Sequence, residues 1–213
     1  LLGTLREDMG ELASELDAQD AVGAVLGLAP PTVAGLLLER VFDERLNRPC
    51  NVAGAQVAAG LAMVVADRRP ASRSYGTAGM ADHLVLGLAQ AAALVPGVSR
   101  NGSTLTGARL RRFDRPASAR LARQAALPVV AAAAVLKGAR LAQRGLPHRL
   151  RRPFAAGLGA STLVTLVSRR LLECMEGASS YAPVGAYRMA LGAVALVILR
   201  PRATPDRCAS MAR

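Results

Sequence analysis

Residues 94–104 read LVPGVSRNGST, and every polar side chain in this stretch can donate a hydrogen bond. None is acidic. Gly97 and Gly102 admit backbone torsions that other residues resist. Successive N–H groups in such a turn can form a concave nest for an anion. The N-terminus of a following helix adds a positive dipole end. Arg100 can grip a phosphate through two parallel hydrogen bonds. Ser99, Ser103 and Thr104 add hydroxyl donors, and Asn101 adds an amide. These groups suit a phosphate. They equally suit an interhelical turn whose arginine snorkels to a membrane interface, and residue types alone leave both open.

The flanking elements must hold this turn. The chain has 213 residues, a net charge of +12, 52% hydrophobic residues and no Trp. Its apolar residues fall in blocks. Residues 21–38, 50–66, 84–98, 153–168 and 189–199 make up these blocks, and the first two carry no charge. A membrane-spanning helix needs about 20 mostly apolar residues. Residues 21–38 and 50–66 lack the 3.6-residue amphipathic period of a soluble bundle. This predicts an all-α polytopic integral membrane protein. The basic clusters occupy the connections, with almost no aromatic residue to stack on a base. They fit lipid headgroups and exclude nucleic acid as the natural partner. Both sets of alternate connections are basic, so the orientation stays open.

Residues 1–20 are acidic and repeat Leu5, Met9, Leu12 and Leu16 at helical spacing, which predicts an amphipathic helix or the tail of an earlier span. Spans are expected at 21–38, with Pro30-Pro31 inside, at 50–66, 121–140 and 153–172, and at about 178–199. Between them, an apolar helix from about His83 to Leu94 is too short to span. Pro96-Gly97 stops it, and a second helix is expected near Thr104, capped by that hydroxyl. Two short helices around a polar turn predict a re-entrant hairpin over about 83–108. Backbone broken at membrane depth survives only where protein or a water-filled cavity satisfies it. Asp82 is expected as an N-cap and His83 as an interfacial residue. His148 is expected in a solvated loop, and Arg109 outside the site. Arg188 interrupts an apolar run; an intramembrane charge is a functional candidate, or a partner for a helix end. Cys50, Cys174 and Cys208 show no metal or redox spacing. No carboxylate lies between Asp82 and Asp114, so no metal ligand is assigned in the chain.

The stretch GLAQAAALVPGVSRNGSTLTG resembles a signature region of the undecaprenyl pyrophosphate phosphatases, also called bacitracin resistance proteins. That pattern is G-x-x-Q-x-x-A-x-x-P-G-x-S-R-S-G-x-T. Gln90, Ala93, Pro96, Gly97, Ser99, Arg100, Gly102 and Thr104 match it, while Asn101 replaces a Ser. Tyr187-Arg188 resembles the pair on the family's last helix. The resemblance implies hydrolysis of undecaprenyl diphosphate to undecaprenyl phosphate in the bacterial cell membrane. That step recycles the carrier for peptidoglycan synthesis and confers bacitracin resistance. It implies Arg100, Ser99 and Thr104 as catalytic residues. Gly97, Asn101, Gly102, Ser103 and Gln90 become the phosphate-binding set. It implies Mg2+ or Ca2+ as cofactor, a polyprenyl diphosphate lipid as substrate, membrane lipids as neighbours, and leaves a homodimer open. It also implies an inverted-repeat bundle: one membrane domain over 1–213, with the second repeat at 82–213. The first repeat's Glu-x-x-x-Glu and Ser-Ser-x-Gly-His signature is expected before Leu1, so residues 1–213 are expected to be incomplete and inactive alone. A lipid-phosphate transporter, or a homologue that binds polyprenyl phosphate without turnover, is the alternative.

Overall fold

The structure, a computed structural model, describes residues 18–41, 46–176 and 180–199. The acidic segment 1–17 and the basic tail lie outside the described residues. Among the described residues, seven α-helices follow in order: α1 (Ala18–Val41), α2 (Pro49–Asp67), α3 (Met80–Ala92), α4 (Arg100–Leu110), α5 (Arg115–Arg144), α6 (His148–Glu176) and α7 (Ala182–Leu199). A 3-10 turn, Tyr75–Thr77, lies between α2 and α3.

The distribution of side chains is that of a membrane protein. Leu36, Val135 and Ile198 are 78%, 72% and 75% exposed, while Asp67, Asp82, Gln90, Thr104, Arg109 and Ser118 are buried. In water this arrangement would be costly. In lipid it is required, because polar groups must find partners inside the protein. α2, α5 and α7 are each long and apolar enough to cross a bilayer, and α1 carries a shorter apolar run, Val25–Leu37. The chain is an all-α polytopic membrane protein.

Helix starts differ from the sequence expectation. α5 begins at Arg115 rather than 121, because the Asp114 carboxylate accepts the Ala117 N–H at 2.7 Å and caps it. His148 opens α6 instead of lying in the preceding loop, and it is exposed there.

Small residues set the helix pairings. α2 and α7 run antiparallel and nearly touch: a Cβ added to Gly60 would lie 2.7 Å from the Gly185 carbonyl oxygen, and one added to Gly192 would lie 2.7 Å from that of Ala53. α1 and α3 run parallel, with Gly23 against the His83 ring, Gly27 near Gly87, and Gly35 near Leu94. Pro30 and Pro31 lack the N–H groups that would serve the carbonyls of Leu26 and Gly27. Those two oxygens would lie 2.9 and 2.8 Å from a Cβ on Gly87. Gly87 therefore lets α3 rest directly on the carbonyls that the prolines release. His83 packs at this interface, on Gly23, and not at the 94–104 turn.

Two small apolar clusters form the core. One joins Met63, Leu105, Ala119, Ala122 and Tyr181. The other joins Leu86, Ala108, Phe113, Ala117 and Leu121. Both lie around α4 and the start of α5, so the hairpin made by α3 and α4 is gripped along its returning arm.

Candidate functional site

The hairpin tip is a tight turn. After α3, the N–H groups of Leu94, Val95 and Val98 bond to carbonyls three residues back. Gly97 adopts φ 95°, a torsion that disfavours side chains, and a Cβ there would lie 2.2 Å from the Val52 carbonyl oxygen of α2. Only glycine fits. The tip thus rests against the first turn of α2.

α4 begins at Arg100, four residues before the expected start, because Ser99 takes the capping role that Thr104 was expected to fill. The Ser99 Oγ accepts the Gly102 N–H at 3.2 Å. Its own proton stays free to donate. Thr104 is fully buried inside the helix, and its hydroxyl donates back to the carbonyls of Arg100 and Asn101, both at 3.0 Å. The Ser103 hydroxyl likewise donates to the Arg100 carbonyl at 2.9 Å. Hydroxyls within a helix often close on the carbonyl one turn back. Thr104 and Ser103 therefore stiffen the first turn of α4 rather than lining its mouth.

The groups that remain at the tip are of one kind. Arg100 and Asn101 are exposed, and among the described residues no hydrogen bond or ion pair engages the Arg100 guanidinium. The first N–H groups of α4 have no acceptor within the helix, and the dipole end there is positive. Arg188, the seventh residue of α7, reaches across and donates through Nη2 to the Gly97 carbonyl at 2.9 Å. Its place in an apolar run marked it in the sequence. Its partner lies 91 residues away and was not legible there.

Gln90 is not brought to the tip. It is 1% exposed, and its amide nitrogen donates to the Ala125 carbonyl of α5 at 3.0 Å. Among the described residues its Oε1 has no hydrogen-bond partner. Gln90 ties α3 to α5 close to Pro128, which lacks the N–H owed to the neighbouring Gln124 carbonyl.

The hairpin root, by contrast, is rich in ion pairs. Asp82 lies at the third position of α3, with Gly79 as the N-cap in place of the expected Asp82. Its carboxylate accepts the Gly79 N–H at 2.9 Å, two bonds from Arg73 at 2.9 and 2.7 Å, and one from Arg111 Nε at 2.6 Å. Burial pushes this carboxyl up, but the hydrogen bonds from Arg73, Arg111 and Gly79 outweigh it and hold it well below the usual carboxylate range. Asp67 forms the second centre, with Arg115 and Arg109. Arg109 was expected to be peripheral. It is 3% exposed and donates to the carbonyls of Phe113, Asp67 and Arg69. A donor-only side chain with several buried acceptors is part of the frame.

Among the described residues, no group of three His, Cys, Asp or Glu side chains could hold a metal ion. Both buried carboxylates are already taken up by arginine.

The match to known proteins runs through this hairpin and beyond it. The bacitracin resistance protein BacA family matches residues 2–194. The chain belongs to the bacitracin resistance protein BacA family. A relative from Hahella chejuensis, named undecaprenyl-diphosphatase, is 32% identical over 204 residues, covering 93% of this chain and 74% of that protein. Undecaprenyl-diphosphatases of Thermomicrobium roseum and Geotalea daltonii are 34% and 32% identical, each over 82% of this chain and 66% of their own length. The match thus spans roughly two thirds to three quarters of these relatives. In this BacA-family chain, the signature residues divide in space. Ser99, Arg100 and Asn101 lie at the mouth of the tip, Gly97 and Gly102 shape it, and Gln90 and Thr104 brace it from behind.

Proposed function

We propose that this chain is a membrane phosphatase that hydrolyses undecaprenyl diphosphate to undecaprenyl phosphate and phosphate in the bacterial cell membrane. The reading follows its relatives' shared name. That activity recycles the lipid carrier for peptidoglycan synthesis and accounts for bacitracin resistance. One observation carries the reading: among the described residues Arg100 is unengaged beside its own and the Asn101 amide, while Arg73, Arg109, Arg111, Arg115 and Arg188 are all hydrogen-bonded. An unengaged arginine within a membrane protein waits for an anion.

The α3–α4 hairpin is the re-entrant element of the 82–213 repeat, and the polyprenyl tail lies in lipid beside it. Arg100 holds the phosphoryl oxygens through its fork of donors. The Ser99 hydroxyl, the Asn101 side chain and the first amides of α4 complete the donor set. These groups stabilise charge that develops as the anhydride bond breaks. Gly97 and Gly102 shape the turn, while Ser103, Thr104 and Gln90 keep its frame rigid. Mg2+ or Ca2+ is implied by the family resemblance, but the described residues do not fit either ion, since they offer donors and arginine-bound carboxylates in place of free oxygen ligands.

The test is phosphate release from undecaprenyl diphosphate by protein extracted from carbonate-washed membranes. Arg100→Ala should lower turnover by about 10²-fold, as for loss of a preorganised donor. Arg100→Lys should rescue poorly, because a point charge cannot reproduce the bidentate grip. Near-normal turnover of Arg100→Ala would remove this residue from the site.

A further inference from the structure

We propose that Asp67 is a positioning residue for this reaction: it fastens the roots of α4 and α7 together and so sets where Arg100 and Arg188 meet at the hairpin tip. The inference rests on the phosphatase reading above. Asp67 is the last residue of α2 and is 5% exposed. Its Oδ1 accepts Arg115 Nε at 2.8 Å and faces Arg109 Nε at 3.4 Å. Its Oδ2 accepts Arg115 Nη2 at 3.1 Å, the Ser180 hydroxyl at 2.9 Å and the Tyr181 N–H at 2.8 Å. Its backbone carbonyl accepts Arg109 Nη2 at 2.9 Å. The Tyr181 hydroxyl closes the ring by donating to the Arg115 carbonyl at 3.1 Å. One carboxylate therefore joins the end of α2, the end of α4, the start of α5 and the segment that opens α7.

Only an ionised carboxylate can do this. Four hydrogen bonds converge on its two oxygens, with the Arg109 guanidinium beside them, and a carboxylate offers acceptor sites alone. An amide would turn N–H groups against arginine or the Tyr181 N–H.

The geometry carries the effect to the tip. Arg109 stands nine residues from Arg100 along α4, and Tyr181 stands seven residues from Arg188 along α7. At about 1.5 Å per residue these arms are about 14 and 11 Å long. Arg188 bonds Gly97, three residues before Arg100. A slip between the two roots is therefore delivered to the turn that presents Arg100. Misplacement of a reacting group by about 1 Å can cost about 10²-fold in rate. A tie to the Asp67 carboxylate on each arm, the Arg109 ion pair on α4 and the Ser180 and Tyr181 hydrogen bonds before α7, is what prevents that slip.

The experiment uses the full chain, purified in detergent, with kcat and KM measured per folded molecule in the monodisperse fraction. Asp67→Asn should lower kcat by about 10-fold while KM stays within about 3-fold, the pattern of a lost transition-state alignment. A residue that only held the fold together would lower the yield and leave kcat per folded molecule unchanged. Combining Asp67→Asn with Arg188→Ala should lower kcat less than the product of the two single losses, because both act through the Gly97 turn. Should Asp67→Asn yield no folded protein, Ser180→Ala keeps the carboxylate and removes one tie to α7; it should lower kcat by about 3-fold, scaled to one lost hydrogen bond. Wild-type kcat per folded molecule in these variants, or fully multiplicative losses in the double variant, would overturn the role of Asp67. Absence of phosphate release from the unmodified full-length protein would instead overturn the phosphatase reading, and this inference with it.

Discussion

Arg100 and Arg109 stand on the same helix, yet one is exposed without a hydrogen bond or ion pair among the described residues and the other is 3% exposed among three carbonyls and a carboxylate. The tip of the hairpin offers the Arg100 guanidinium, which meets no partner among the described residues. The root pairs its carboxylates with arginines of the fold. A buried arginine must be paired or it costs several kcal/mol. The root meets that demand with Asp67 and Asp82, four arginines and several backbone carbonyls. Arg100 at the tip is exposed and carries no such demand, and with no partner among the described residues it stays available to an anion. The difference separates two uses of arginine in lipid: as a strut when its partners belong to the fold, and as a ligand group when they do not.

Breaking the root should have the largest effect. Arg109→Ala leaves the Asp67 carboxylate short of a neighbour and three carbonyls without their donor. Removing one member of a buried ion pair costs about 3–5 kcal/mol. The expected outcome is a sharp fall in thermal midpoint and loss of monodisperse protein in detergent. Arg100→Ala should leave the midpoint unchanged and remove turnover instead. Equal midpoints for the two variants would erase the contrast between root and tip.

Gly97→Ala attacks the tip without touching a charge. The new Cβ would meet the Val52 carbonyl oxygen at 2.2 Å, at a φ of 95°. Backbone strain of this kind costs about 1–3 kcal/mol. The turn should relieve it by moving off α2, carrying Arg100 and the Arg188 bond with it. Turnover should drop by more than about 10-fold, on the scale of about a 1 Å misplacement. The thermal midpoint should change far less than in Arg109→Ala. Unchanged turnover would mean that the position of the turn against α2 does not matter to the chemistry.

The tip was legible in the sequence because its information is local. Glycines, hydroxyls and one arginine within a single short stretch define a turn and its chemistry. The hairpin, expected over about 83–108, runs from Met80 to Leu110. The start of α4 was not legible, since Ser99 and Thr104 are equally good caps on paper. What decides is Pro96-Gly97, which ends the turn early enough for Ser99 to serve. The root was not legible because its partners are remote: Arg115 lies 48 residues from Asp67, and Tyr181 lies 114 away. In the sequence, Asp67 is merely the polar end of a span, and Arg109 is one arginine in a basic run. Gln90 misled for a related reason. Its motif position suggests a ligand for phosphate, but its donor is spent on a carbonyl 35 residues away.

Gln90→Met sharpens that last distinction with a smaller effect. The substitution removes one hydrogen bond to the Ala125 carbonyl and also removes an Oε1 that has no partner. A single polar contact between membrane helices is worth about 1 kcal/mol. The two changes oppose one another, so the thermal midpoint should move by no more than a few degrees. Substrate affinity is the sharper readout: KM for the diphosphate lipid should stay within about 3-fold if Gln90 braces the hairpin without touching substrate. A tenfold or greater weakening would return Gln90 to the phosphate site.

The smallest effect concerns acid. Asp82 lies on the first turn of α3, outside the three spanning helices, and its arginine partners hold its carboxyl below the usual range in the folded protein. A carboxyl whose folded pKa is depressed stabilises the fold at every pH above its unfolded pKa of about 3.9. That stabilisation is lost only as the pH falls below about 4 toward the lower folded value. Between about pH 5 and 8 the group stays ionised in both states and contributes no slope. The difference in thermal midpoint between the wild type and Asp82→Asn should therefore be constant from about pH 8 to pH 5, and should shrink below about pH 4 as the wild type loses its advantage. Arg100 has no such carboxylate, so Arg100→Ala should track the wild type throughout. A difference that already narrows between about pH 7 and 5 would mean that Arg73 and Arg111 do not hold Asp82 ionised, and the root would no longer differ from the tip in having its charges matched.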